Sequence, residues 1–500
     1  MQAFAFLIAI LGLSILSGTA CGQSFTSHDL RVNGAVITVI PADLRGHRGQ
    51  DLVVISRTGT FPDEVRWVSV FWQQEGGGFN PQPDLVWEMD SEATVVDVGR
   101  LGPESDRMSI VYLTGSEVRA YQLTAEGPPA PTTLLTTPTL TVFPEPADLP
   151  PMPLIRDWKG IGQPWLAVPQ FGRLTLHPIV QGRPQGPGEP ITLYQPTLLF
   201  GPEREHRLIR DYALQLIYRL PQLFVRDFNG DGRGDLIAAW QDHVAVYLQG
   251  TTGRFSQEPS QTFHFNLRTE QERTLRLVHI SPLTEDLDGD GRVDLILTKV
   301  TGRITDRRIV SSVYLNRTGG LPAQAHVRVE HDGFASTLVA KDLNGDGKRD
   351  LLFPIAKIGV GNLIRNLLTD RADISLLAHL YRDQGVYNKV ADWMRNFTYQ
   401  IDMSDGVMLQ GVWPNVEGDF DGDGKADLLV AGNDAIAVYL ATPEVLFARE
   451  PAARVPVKTS PRTIVQDLTG NSHTDIVMWY EKSVEWEGVI KVLINTGKGW

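Results

Sequence analysis

Four nine-residue segments in the second half of the chain place oxygen-bearing side chains at positions 1, 3, 5 and 9 and glycine at position 6. They are Asp227-Phe-Asn-Gly-Asp-Gly-Arg-Gly-Asp235, Asp286-Leu-Asp-Gly-Asp-Gly-Arg-Val-Asp294, Asp342-Leu-Asn-Gly-Asp-Gly-Lys-Arg-Asp350 and Asp419-Phe-Asp-Gly-Asp-Gly-Lys-Ala-Asp427. A hard cation such as Ca²⁺ takes six to eight oxygens at about 2.3–2.6 Å, and the glycine lets the backbone close tightly around it. The chemistry on offer is calcium binding, repeated four times.

The flanking residues decide what kind of element carries these loops. An EF-hand needs a bidentate Glu at position 12 and a helix behind it. Here position 12 is Ala238, Leu297, Phe353 or Val430. Short apolar runs follow position 9, such as Leu236-Ile-Ala-Ala-Trp240 and Leu351-Leu-Phe-Pro-Ile355, and read as buried strands. Another short apolar stretch precedes each loop: Leu223-Phe-Val225, Leu277-Val-His-Ile280, Thr337-Leu-Val-Ala340 and Gly411-Val-Trp413. The unit is strand, cation turn, strand.

The same frame recurs with weaker ligands at Asp43–Asp51 and Asp467–Asp475, and in more eroded form around Asp97 and Asp157. First positions then fall at 43, 97, 157, 227, 286, 342, 419 and 467, at intervals of 48 to 77 residues. Each unit adds a third strand of alternating character, such as Trp67–Trp72 or Val489–Ile494, usually a Gly-rich turn, and a more polar fourth strand such as Thr262–Leu267. Four short antiparallel strands per repeat predict an all-β, single β-propeller, of eight blades with seven as the alternative. The last unit stops after its third strand, so its fourth is expected from the N-terminal side, around His28-Asp-Leu-Arg-Val32.

The repeated Asp-x-(Asp/Asn)-Gly-Asp-Gly-x-x-Asp-(Leu/Ile) frame resembles the FG-GAP/VCBS-type repeats of integrin-α-like β-propellers, in the broad bacterial envelope variety, since the Phe-Gly-Gly-Ala-Pro tag is absent. The resemblance implies that each loop joins the first two strands of a blade and holds Ca²⁺ at one rim, about four structural ions in all. The side-chain ligands it implies are Asp227, Asn229, Asp231 and Asp235; Asp286, Asp288, Asp290 and Asp294; Asp342, Asn344, Asp346 and Asp350; and Asp419, Asp421, Asp423 and Asp427. Arg233, Arg292, Lys348 and Lys425 at position 7 would offer backbone carbonyls and point their side chains outward. In the first loop Arg45 and His47 take ligand positions, so no metal is expected there; at Asp467, Asn471 replaces an acid and occupancy is open.

Composition fits this picture. The net charge is −13, the implied ligands include fourteen carboxylates, and four divalent cations would leave −5. The acidity belongs to the loops, and the lack of a basic stripe interleaved with aromatics argues against nucleic acid. Residues 1–20 read as a signal peptide and 21–27 as a tether to a propeller spanning 28–500. Cys21, the single cysteine, sits where a lipoprotein would be acylated, with a plain signal-peptidase cut as the alternative. The expected location is extracytoplasmic: an envelope lipoprotein, or a periplasmic or secreted protein. No later segment is apolar over about 18 residues.

The search for catalysis is mostly negative: no Gly-x-Ser-x-Gly, His-Glu-x-x-His or Gly-x-x-x-x-Gly-Lys motif occurs. His264 and His279 read as strand residues, and Asp370, Asp373, Asp383 and Asp392 as carboxylates whose pairing spacing alone cannot establish. Two inserts break the pattern, a charged one at 201–210 and a helically spaced one at 358–370. The expected function is a non-catalytic module binding a protein or glycan at the cell envelope. The alternative is a carbohydrate-active enzyme of the polysaccharide-lyase kind on the same scaffold.

Overall fold

The computed structural model describes residues 24–500 apart from 61–62, 103–107, 124–129, 141–148, 194–197, 201–214, 218–219, 276–277, 303–305, 336–337, 357–370, 384–385, 403–407, 410, 433, 444 and 482. The expected inserts at 201–210 and 358–370, the signal peptide and Cys21 lie outside the described residues.

Alternating and fully apolar strand patterns pair consecutively into antiparallel sheets of four principal strands. Blade 1 is Ala35–Ala42, Asp51–Thr58, Val65–Phe71 and Leu85–Glu88, and blade 2 is Val95–Arg100, Met108–Leu113, Glu117–Gln122 and Thr132–Thr136. Blade 3 is Ile155–Arg156, Trp165–Gln170, Arg173–Val180 and Glu189–Thr192. Blade 4 is Gln222–Arg226, Asp235–Ala239, His243–Tyr247 and Gln261–His264, and blade 5 is His279–Glu285, Asp294–Thr301, Arg308–Tyr314 and Val327–Asp332. Blade 6 is Val339–Lys341, Asp350–Ala356, Arg371–His379 and Trp393–Asp402, and blade 7 is Gly411–Asn415, Leu428–Gly432, Ala435–Tyr439 and Ala453–Pro456.

Blade 8 is Arg462–Gln466, Asp475–Trp479 and Val489–Asn495, completed by Phe25–Arg31 from the other end of the chain. That strand runs antiparallel to the last one, from Phe25 opposite Asn495 to Arg31 opposite Val489. It starts three residues before position 28, where the sequence placed the start of the propeller.

Packing shows why the ring must close. The second and third strands are buried on both faces, as in Asp235–Ala239 and His243–Tyr247, because each sheet is sandwiched between two others. Fourth strands such as Gln261–His264 alternate polar and half-buried positions. The apolar clusters therefore lie between blades. One joins blades 1 and 2 through Ile55, Val70, Ile110 and Tyr112, and others join each successive pair. The circuit ends with Val54, Phe71, Val477, Val492 and Leu30, which seal blade 8 to blade 1. Each fully buried side chain of this size contributes about 1.5–3 kcal/mol relative to exposure.

Among the described residues the one helix is Glu270–Leu275, between blades 4 and 5. Thr269 and Glu272 cap its start reciprocally, the Glu272 carboxylate accepting from the Thr269 N–H at 2.7 Å.

Candidate metal centre

Every Asp-rich loop joins the first strand of its blade to the second, so all of them lie at one rim of the ring. The first Asp organises the turn. Asp227 accepts from the Gly230 and Gly232 N–H groups at 2.7 Å, one on each carboxylate oxygen. Asp286, Asp342 and Asp419 repeat the pair with the glycines at positions 4 and 6. Those glycines are left-handed (φ +80° and +81° at Gly230 and Gly232), which side chains with a Cβ rarely adopt. The weak loops keep this backbone without the glycine at position 6: Arg48 and Ser472 sit there at φ 73° and 68°.

The ninth residue has a different task. Asp235, Asp294, Asp350 and Asp427 are buried, at 0–1% exposure. In each, one oxygen accepts from the N–H of loop position 2 and the other from the N–H just beyond the third strand. For Asp294 these donors are Leu287 at 2.9 Å and Asn316 at 2.7 Å. For Asp350 they are Leu343 and Tyr381, and for Asp427 they are Phe420 and Ala441. Asp51 and Asp475 in the weak loops also accept from an N–H at the end of the third strand, from Gln73 just beyond it and from Asn495, its last residue. Position 9 is thus a clamp that fixes loop to blade.

Carboxylates so placed carry an electrostatic load. Burial, with Asp288 and Asp290 beside it, pushes Asp294 up to about 7 despite its two N–H donors. Burial raises Asp350 and Asp427 to about 6, and Asp235 in the same direction. Carboxylate oxygens of Asp286, Asp288 and Asp294 lie within 4.8 Å of one another, as do those of Asp419, Asp421 and Asp423. A set of hard oxygen donors gathered by like charges at this spacing fits a divalent cation with oxygen preference.

The position 7 side chains do not all point away, as the sequence suggested. Arg233 turns back on Asp231, Arg292 reaches Asp290 at 3.1 Å, and Lys425 reaches Asp423 at 2.8 Å, while Lys348 pairs with Asp383. A cation two residues from an exposed Asp finds it within reach of its own turn. Arg292 also crosses to the preceding loop, lying over Gly230, and His473 lies over Gly422 in the same way.

The first loop resolves its charge internally. Arg45, at position 3, donates through Nε and Nη2 to Asp51 at 3.2 and 2.7 Å, and through Nη2 to the Gln73 carbonyl. A guanidinium stands where the other loops collect carboxylates. The two most eroded frames diverge. Asp157 still holds a turn, accepting from the Lys159, Ile161 and Gly162 N–H groups. Asp97, expected at the start of a loop, instead lies inside the first strand of blade 2 and accepts from Leu154 and Ile155 of blade 3. Burial raises its pKa. The spacing matched there, but the register did not.

Sequence reasoning missed a second set of residues. Gln73, Gln249 and Asn316 follow a third strand, Asn495 ends one, and all four are at most 8% exposed. Each gives its backbone N–H to its own blade's ninth Asp and its side-chain amide to the loop of the preceding blade. The acceptors are the carbonyls of Leu468, Lys159, Phe228 and Phe420, at 3.0, 2.9, 2.6 and 2.8 Å. These amides rivet neighbouring loops together. Their signal in the sequence is an amide one to three residues before the Gly of the following turn, as in Gln249-Gly250 and Asn495-Thr-Gly497.

The carboxylates singled out for possible catalysis are separately engaged. Asp392 holds the Leu380 N–H, Arg382 and Asn388; Asp373 accepts from Thr398; Asp383 pairs with Lys348; and Asp370 lies outside the described residues. His264 and His279 are strand residues, as expected.

A family model described as FG-GAP-like repeat matches residues 286–353, which begin at the first ligand position of one loop. No curated protein matches the chain. Among solved structures, a lectin from Agrocybe aegerita described as recognising non-reducing terminal N-acetylglucosamine is similar over 93% of this chain and 86% of its own, at 13% identity and a TM-score of 0.37. The Vibrio cholerae (V. cholerae) biofilm matrix protein Bap1 is similar over 81% of this chain and 89% of its own, at 12% identity and a TM-score of 0.30. The β-propeller domain of Myceliophteria thermophila Cps50 (Swd1) covers 81% of this chain and 97% of its own, at 10% identity and a TM-score of 0.31. With a closed ring of eight four-stranded blades and the family match on one repeat, the chain is an eight-bladed β-propeller that carries an FG-GAP-like repeat at residues 286–353.

Proposed function

We propose that this propeller is an exported, calcium-stiffened interaction module of the cell envelope, non-catalytic, that presents a rigid surface to a protein or glycan. The observation that carries the calcium reading is the contrast between loops. Where ligand positions are lost, Arg45 supplies positive charge beside Asp51; where they are kept, Asp286, Asp288 and Asp294 converge on one another instead. The residues that would hold the ions are Asp227, Asn229, Asp231 and Asp235, with the matching sets at 286–294, 342–350 and 419–427. Position 7 carbonyls (Arg233, Arg292, Lys348, Lys425) would add to them.

A bound cation would neutralise buried carboxylates whose proton affinity the fold has raised, and would stiffen the rim that the amide rivets join. Loops of this kind binding at about 10⁻⁴–10⁻³ M suit a calcium-rich exterior. That setting agrees with the usual extracytoplasmic use of FG-GAP repeats and with an N-terminus of signal-peptide character, tethered through Cys21 if acylated. No described helix is long and apolar enough to cross a membrane.

The test is thermal unfolding of the purified mature protein with and without excess EDTA, alongside metal analysis. Chelation should lower the melting temperature, and calcium should restore it. An unchanged melting temperature in protein that holds no metal overturns the calcium reading. Ultraviolet-absorbing unsaturated products released from a polysaccharide panel would overturn the non-catalytic one.

A further inference from the structure

The rim is not equally filled at every blade junction. Between blades 4 and 5 Arg292, from position 7 of one loop, covers Gly230 of the other, and between blades 7 and 8 His473 covers Gly422. At the junction of blades 8 and 1 the position 7 residue is Gly49. A cavity of about 880 Å³ lies between the two weak loops, with the Gln73 side chain taking the space beside Gly49. This volume lies in the range of small-molecule sites.

The walls of this cavity select a ligand chemistry. Ile494 is the one apolar aliphatic side chain of its lining; around it stand Arg45, His47, Gln74, Glu75, Thr469 and Asn471. Hydrogen-bonding side chains outnumber apolar ones in these walls. The Arg45 guanidinium is fixed by Asp51, the Gln73 carbonyl and the Trp72 ring 5.0 Å away, and its Nη1 makes no hydrogen bond within the described residues. His47 stands 3.7 Å from both Asp43 and Asp51, too far for hydrogen bonds to either. Among the lining residues Glu75 is the one carboxylate, and the Arg45 guanidinium is already paired with Asp51, so the walls offer no excess of positive charge to an anionic ligand. What remains is a ligand rich in hydroxyl groups, uncharged, able both to donate to Glu75 and to accept from Arg45 and His47.

We propose that the cavity between blades 8 and 1 is a binding site for a neutral saccharide. The proposal rests on the interaction-module reading and gives it a place and a ligand class. It needs no cation in loop 43–51, where Arg45 lies against the buried carboxylate.

Calorimetric titration of the mature chain with a panel of neutral di- to tetrasaccharides tests it, together with uronate-containing counterparts. At least one neutral member should bind, and its uronate counterpart should bind more weakly. Glu75→Ala and His47→Ala should each weaken binding about tenfold, the loss of one good hydrogen bond, with melting temperature unchanged. No binding of any neutral member at about 10 mM overturns the proposal. So does binding that neither substitution alters, or a preference for the uronates. An unchanged melting temperature in EDTA would instead remove the calcium reading and leave this site standing.

Discussion

Asn495 is where the rim, the ring closure and the C-terminal end meet. It is fully buried, and its side chain donates to the Phe420 carbonyl at 2.8 Å and the Thr474 carbonyl at 3.3 Å. Its Oδ1 accepts from the Gly497 N–H at 3.0 Å and from the Trp500 indole at 3.1 Å. Asn495→Ala removes all four bonds. At a net value of about 1 kcal/mol each, with some recovery by water for the two near the chain end, the loss is about 3–4 kcal/mol. Asn495→Asp keeps the acceptor but sets a carboxylate against two carbonyl oxygens, so it should cost more than alanine despite its shape. Urea unfolding of the three proteins, in calcium and at equal denaturant slope, reads both the size and the order. A loss under about 1 kcal/mol for Asn495→Ala, or an Asp variant as stable as wild type, would refute the rivet.

Three further outcomes follow from other parts of the ring. Arg45→Met leaves Asp51 buried without its partner and should cost about 2–3 kcal/mol, below the full value for a buried pair because Arg45 is a third exposed; in urea titrations the loss should be the same with EDTA as with calcium. Leu30→Ala, at a fully buried position in the closing strand, should cost about 2–5 kcal/mol and expose the seam between blades 8 and 1 to limited proteolysis. His379 is buried against the Asn388 carbonyl and His331, and burial lowers its pKa below the model-compound value of 6.5. The stability tied to its neutral form is present above pH 6.5 and is lost as pH falls through that value towards the folded pKa. His379→Gln should flatten the slope of stability between pH 7 and 5, measured by urea titration across that range.

The fold was largely legible in the sequence because one physical device is repeated. Gly230, Gly289, Gly345 and Gly422 mark left-handed turns, the ninth Asp marks the return into a buried strand, and the missing fourth strand of the last unit pointed to the N-terminal side. The acidic clusters were legible at the same residues, since oxygen-bearing and turn-forming positions coincide there. What stayed hidden depended on long-range pairing. Asp97 has the period of a loop start, yet its carboxylate serves a strand of the next blade, 57 residues on. The amides of Asn316 and Asn495 lie in turns that look interchangeable along the chain, and their acceptors are 88 and 75 residues away. Position 7 was misjudged because an arginine beside an exposed aspartate was taken for a solvated side chain, whereas Arg292 spans two loops.

The closing strand also sets how the ring bears force. Phe25 lies opposite Asn495, so the chain enters and leaves blade 8 at the same end of one antiparallel ladder, on the loop rim. A load applied between the two termini would peel that ladder from its end, one residue pair at a time, instead of shearing seven pairs at once. Phe25, Phe420 and Trp500, whose rings lie 5.7 to 6.2 Å apart, sit at the point where peeling would begin. The ring is therefore mechanically soft between its two ends.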